Sequence, residues 1–184
     1  MASLQEFFSN VRGVIATEFA LVAPVLILLW VGMVEFATAH LIAQKVEIAA
    51  QSAADIISQD DFTDTTKLAN INAAIVTILA PYNLGNMGYR ISSIVADADG
   101  VNAVAWNKAG GTVAVDVPAP TIADNLTEGD DSVIVVTVTY QHTPVLLGRI
   151  IGEKIFGDSI TLDETVFAKP RLVPIIPCVD GCSP

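Results

Sequence analysis

A chain of 184 residues has room for one membrane segment and one globular domain of ordinary size. Its 52% hydrophobic content and mean hydropathy of +0.56 exceed what a soluble protein carries, and the excess lies in the first 45 residues. The net charge of −11, with 8 Lys and Arg against 17 Asp and Glu from Gln44 onward, excludes nucleic acid as a partner and docking on anionic lipid, because both need clustered cations.

In chain order, residues 14–43 come first as an apolar run broken only by Thr17, Glu18, Glu35, Thr38 and His40 among polar types. About 20 apolar residues span a bilayer core, and residues 19–34 carry no charge. The run exceeds the apolar core of a secretory signal, and no small-x-small site precedes a polar start, so it is read as a retained transmembrane segment. Pro24 is tolerated where the freed carbonyl finds another donor. Arg12 before the run and an acidic domain after it favour an N-terminus in the cytoplasm, an orientation that rests on a single arginine. Glu18 stands out, since a carboxylate at membrane depth costs at least ~2.5–3.5 kcal/mol and calls for a partner. A cut after Gly13 would supply one: Val14 would carry a new α-ammonium, with Glu18 the fifth residue of the product. Glu35 is read as a carboxylate near the outer interface in reach of water, with a subunit contact as the alternative. His40 is read as solvated, and Trp30 as interfacial or packed.

Ala43, Val46, Ala50, Ala53, Ala54 and Ile57 recur at helical spacing, with Lys45, Glu47, Gln51 and Asp55 on the other face, so one long helix is predicted over residues 14–58. Asp60-Asp61-Phe62-Thr63-Asp64 reads as a turn with a cap, and Leu68, Ile71, Ile75, Ile78 and Leu79 mark a second helix that Pro81 stops. The period then changes to two. Residues 90–96 and 101–108 flank a hairpin turn, Asp97-Ala98-Asp99-Gly100. Residues 112–117 read as a further short strand, 132–142 as the strongest strand, 144–156 as a short helix and 161–169 as the last strand. The expected fold is α+β, with an antiparallel sheet after the helices. The domains are a leader over 1–13, a transmembrane segment over 14–43 and a periplasmic or extracellular domain over 44–184.

Asp97 and Asp99 open like a calcium loop, but Asn102 and Lys108 stand where that loop needs Gly and Glu, so the segment reads as a plain turn. The chain has no Gly-rich phosphate loop, no His-Glu-x-x-His and no Gly-x-Ser-x-Gly, and His142 stands alone. No enzyme activity, metal or cofactor is expected. Cys178 and Cys182 flank Val179-Asp180-Gly181. In an oxidising periplasm they would close a small disulfide loop. A paired-thiol metal site would need two more ligands, and free thiols are the remaining reading.

Arg12-Gly13-Val14-Ile15-Ala16-Thr17-Glu18-Phe19, continuing through Val34-Glu35-Phe36 and Ala49-Ala50-Gln51-Ser52-Ala53-Ala54, resembles the TadE-like family of tight-adherence (Flp) pilus systems, whose N-termini are type IV pilin-like. Val136-Thr137-Val138-Thr139-Tyr140, Thr143-Pro144 and Ala168-Lys169-Pro170-Arg171-Leu172 resemble that family's closing segment. The resemblance implies a minor pilin or pseudopilin, cut between Gly13 and Val14 by a prepilin peptidase and anchored in the bacterial inner membrane. Its partners would be other pilus subunits and the assembly platform, with Glu18 as the assembly charge. Two rival expectations are an uncleaved, membrane-anchored periplasmic binding domain and a type II secretion pseudopilin. The latter family starts Gly-Phe-Thr-Leu-Ile-Glu, where this chain has Gly-Val-Ile-Ala-Thr-Glu.

Overall fold

The computed structural model describes residues 11–124, 126, 127, 129–144 and 159–183, with the side chains of 11–14 excepted. The expected leader, apart from the backbone of 11–13, and nearly all of the expected helix over 144–156 lie outside the described residues. Two compact units are present: the first holds the N-terminal helix through Thr38, and the second holds Ala39–Thr143 and Ser159–Pro184.

Helix α1 runs Val11–Ser58 with Pro24 inside it, and α2 runs Thr65–Leu79. The sharp start of α2 has a local cause. Asp64 is the N-cap in extended conformation, and its carboxylate accepts from the Lys67 amide at 2.8 Å. At the other end, Ala80 and Pro81 terminate the helix. There the Lys45 ammonium of α1 donates to the carbonyls of Ile78, at 2.8 Å, and Ala80. A cation on the last carbonyls satisfies acceptors that a helix end leaves open. Lys45 was expected on the solvent face, but its stem lies half-buried between the two helices.

Four strands form one antiparallel sheet in the order β2-β1-β3-β4: β1 is Met87–Ala96, β2 Asn102–Gly111, β3 Ser132–His142 and β4 Ile160–Ala168. The β1–β2 turn is held by Asp97, whose carboxylate accepts from the amides of Asp99 and Val101. A bulge shifts the register between Ser93 and Ile94, so Trp106 pairs with Ser93 and Val104 with Ile94. The shift leaves Trp106 on one face of the sheet and Val104 on the other. Trp106 therefore joins the main core while Val104 packs with Ile94, Val133, Val135 and Ala123 on the far side.

The main core lies between the helices and the near face of the sheet. Ile42, Val46, Ala49, Ala50, Ala53, Ala54 and Ile57 of α1 meet Leu68, Ile71, Ile75 and Leu79 of α2, and below them Tyr89, Ile91, Ile134, Val136 and Val138. Burying each large aliphatic side chain contributes about 1.5–3 kcal/mol. The four alanines of α1 have no stems to extend, which allows close backbone approach on that face.

The strand expected over residues 112–117 does not form. The amides of Thr112 and Val113 both turn to one acceptor, the Met87 carbonyl, and the Val115 carbonyl accepts from Arg90 Nε at 2.7 Å. No ladder remains to be built. Gly111, at φ 85°, makes the turn out of β2, and the chain then crosses so close to Gly88 that a Cβ there would lie 2.0 Å from the Val113 oxygen.

After β4 the C-terminal tail returns across the second unit. The Arg171 amide bonds the Ser58 carbonyl at 2.9 Å, and the Arg171 guanidinium pairs with Asp55. The Ile176 carbonyl accepts from Trp106 Nε1 at 2.8 Å, and its side chain is fully buried. Thr63 bonds both Pro177 and Val179 through its backbone.

Candidate functional site

Gly13 and Val14 lie on the helical backbone of α1, and Glu18 follows four residues after Val14, one turn or about 6 Å along the axis. Glu18 is exposed and has no ion-pair partner among the described residues. Its surroundings are apolar on every side. Ile15, Phe19, Leu21, Val22, Val25, Leu26, Ile27, Leu29, Trp30 and Met33 are all at least half exposed, Leu21 at 79%. An amphipathic helix of a soluble domain would show a polar face here. Over Ile15–Ser58 the helix is long and apolar enough to cross a membrane, and only 11% of its most apolar window is buried. So much exposed apolar surface needs lipid or other subunits to cover it.

Glu35 departs from expectation. It is buried, only 8% exposed, on the same helical face as Val31, and it is engaged in an interaction of its own. A carboxylate withdrawn that far from water persists only with a partner. His40 is exposed and also engaged. Reading Glu35 as a solvated interfacial group overlooked that a side chain one turn from Val31 shares its burial.

Cys178 and Cys182 are joined by a disulfide. The loop it closes presents Asp180 to the start of α2, where the carboxylate accepts from the Thr65 amide at 2.8 Å and from the Thr65 hydroxyl. With Asp64, this gives the N-terminus of α2 two carboxylates, each favoured by the helix dipole. Sequence reading missed this use of Asp180, although an acidic residue inside a short disulfide loop was the available signal.

Two grooves open in the second unit. The first, about 300 Å³, lies between α1 at His40, Gln44 and Glu47 and β4 at Thr161, Asp163 and Glu164. The second, about 320 Å³, lies between Gln51, Asp55 and Ser58 of α1 and residues 166–169 with Arg171. Among the described residues, no three His, Cys, Asp or Glu side chains gather where they could hold a metal ion. Burial pushes the phenols of Tyr89 and Tyr140 upward, so both stay neutral core groups.

Residues 13–55 match the family model described as TadE-like protein, the family that the N-terminal motif resembles. The match begins at Gly13 and ends within α1, so it takes in Glu18, the exposed apolar stretch and the buried alanines, and none of the sheet. A TadE-like segment points to a protein related to the Tad pilus. No curated protein and no solved structure matches the chain.

Proposed function

We propose that the chain is a minor pilin or pseudopilin of a tight-adherence (Flp-type) pilus assembly system, with a structural and assembly role in surface attachment. One observation carries this reading: a largely apolar, exposed helical stretch whose first charge after a Gly13-Val14 junction, Glu18, sits one turn beyond Val14. In this account the inner membrane of a bacterium holds the helix, with the N-terminus in the cytoplasm and the second unit in the periplasm. A prepilin peptidase cuts after Gly13. The freed ammonium of Val14, on the same or a neighbouring subunit, then neutralises Glu18, so the cost of a carboxylate at membrane depth is recovered on assembly. An oxidising periplasm also agrees with the Cys178–Cys182 disulfide. Other pilus subunits and the assembly platform would cover the apolar face wherever lipid does not.

The second reading, an uncleaved anchor for a periplasmic binding domain, draws on the second unit having a core of its own. Intact-mass measurement with and without the peptidase separates the two. Loss of residues 1–13 only when the peptidase is present supports the pilin reading, and an unchanged full-length mass in both strains overturns it. Glu18→Gln keeps the shape without the charge, so it should be cleaved normally yet co-purify poorly with other pilus proteins, whereas Glu18→Asp should retain part of the assembly. Assembly of Glu18→Gln at parental levels would remove the charge pair from the account.

A further inference from the structure

The two edges of the sheet are treated differently. At the β2 edge, Asn107 exchanges both backbone bonds with Ser183, at 2.7 and 2.8 Å, so the tail closes it. At the β4 edge, among the described residues, no backbone bond is made on the side away from β3. An edge nine residues long with open amides and carbonyls is a template for another strand. We propose that β4 receives an extended, lysine- or arginine-bearing segment of another protein, added to the sheet as a fifth strand. This concerns the edge of the sheet and not the Gly13-Val14 junction or Glu18, so it does not depend on the pilus reading.

Two features select that occupant. The grooves of about 300 and 320 Å³ flank β4 along its length, with α1 as their far wall. A strand added beside β4 sends every second side chain to the helix side of the sheet, over those grooves. Charge sets the chemistry of these side chains. Glu47 and Glu164 face the first groove, Glu164 standing opposite Val138 of the core, while Asp163 projects from the other face of β4. Among the described residues neither Asp163 nor Glu164 forms an ion pair. The cations beside the second groove are already taken, Lys169 by Asp131 and Arg171 by Asp55. What the edge leaves unneutralised is negative. A second copy is a poor occupant for the same reason. Two β4 strands paired antiparallel about their centre would set Glu164 opposite Glu164, and like charges directly opposed are destabilising.

The test uses the full chain in nonionic detergent micelles and a fluorescent ten-residue peptide of alternating Lys and Val, followed by anisotropy. The Lys peptide should bind at least tenfold more tightly than its Glu–Val counterpart. Asp163→Asn with Glu164→Gln should lose at least tenfold of that affinity. N-methylating every second peptide amide should abolish binding in one phase and spare it in the other, because strand addition uses one edge of the peptide. Equal binding of the Lys and Glu peptides overturns the proposal, as does equal binding of the two methylation phases, which would mean surface adsorption. It is also overturned if the parent binds no peptide while the doubly neutralised variant dimerises, since the acidic pair would then only guard against self-pairing. The methylation series uses the parent chain, so it decides the matter even if the variant folds poorly.

Discussion

The two stretches of α1 on either side of Thr38 are built from similar residues and have opposite fates. Before Thr38, leucines, isoleucines and valines stand exposed around most of the circumference, the face of Val31 and Glu35 excepted. After it, Ile42, Val46 and Ile57 are at most 2% exposed, and four alanines between them at most 1%. Helix propensity is met in both, since Ala and Leu are among the best helix formers. The difference lies in what each stretch packs against. Alanines form the buried stripe because sheet and α2 already supply the bulk that fills the core, whereas the exposed stretch carries its own bulk for lipid or other subunits. Within one unbroken helix, side-chain volume therefore records the kind of neighbour.

Truncation should break the symmetry most visibly. Ile57→Ala empties a fully buried site and should cost about 2–5 kcal/mol. Leu26→Ala, at a position 54% exposed, should cost the second unit less than about 0.5 kcal/mol. Urea denaturation of the full chain in detergent, followed by Trp106 fluorescence, reads both. A similar loss at the two sites would mean that the apolar stretch is packed after all.

Enlargement gives the converse experiment at smaller scale. Ala53→Leu forces a branched side chain into the alanine stripe and should destabilise by about 1–3 kcal/mol. Gly32 has nothing within 4 Å of the Cβ it lacks. Gly32→Ala should therefore be accepted, and should raise helix stability by up to about 1 kcal/mol. Helicity and denaturation midpoints of the two variants make the comparison.

Contacts that tie the far half of α1 into its unit should come next. Lys45→Met keeps the stem but removes the ammonium from the last carbonyls of α2, at a cost of about 1 kcal/mol. Amide exchange should rise in the last turn of α2 and stay unchanged over residues 15–30.

The smallest expected effect is a pH dependence confined to the second unit. Partial burial opposes ionisation of Asp131, but the Lys169 ammonium at 2.6 Å and the Ser132 amide outweigh it and hold the carboxyl below its usual value. A carboxyl lowered by folding contributes stability that is present above the unfolded value, near 3.8, and is lost as pH falls through the folded value. Asp131→Asn should therefore lower stability slightly and evenly above about pH 4, and that deficit should vanish as pH falls through the folded value, as thermal melts across that range would record.

Much of this was legible in the chain itself. A run of apolar residues at helical spacing determines a long helix whatever surrounds it. Asp64 and Pro81 bracket α2 because a cap and a missing amide act within a few residues, and alternation of Val and Thr marks β3. The motif Gly13-Val14 with Glu18 is equally local, being a matter of spacing along one helix. Tertiary structure decided the rest, because the deciding partner is far away in sequence. Residues 112–117 have the composition of a strand, yet the amides of Thr112 and Val113 go to Met87 and the Val115 carbonyl to Arg90 in place of a ladder. Glu35 has the position of a solvated carboxylate, yet it is buried. Trp106 and Val104 share a parity in the sequence, and only the bulge against β1 sends them to opposite faces. Asp180 becomes a cap for a helix 115 residues away because the tail folds back across the unit. Sequence sets what a segment can do through its own backbone and nearest neighbours. The choice of partner for each remaining amide, carboxylate and edge is made only when distant segments compete for it in the folded chain.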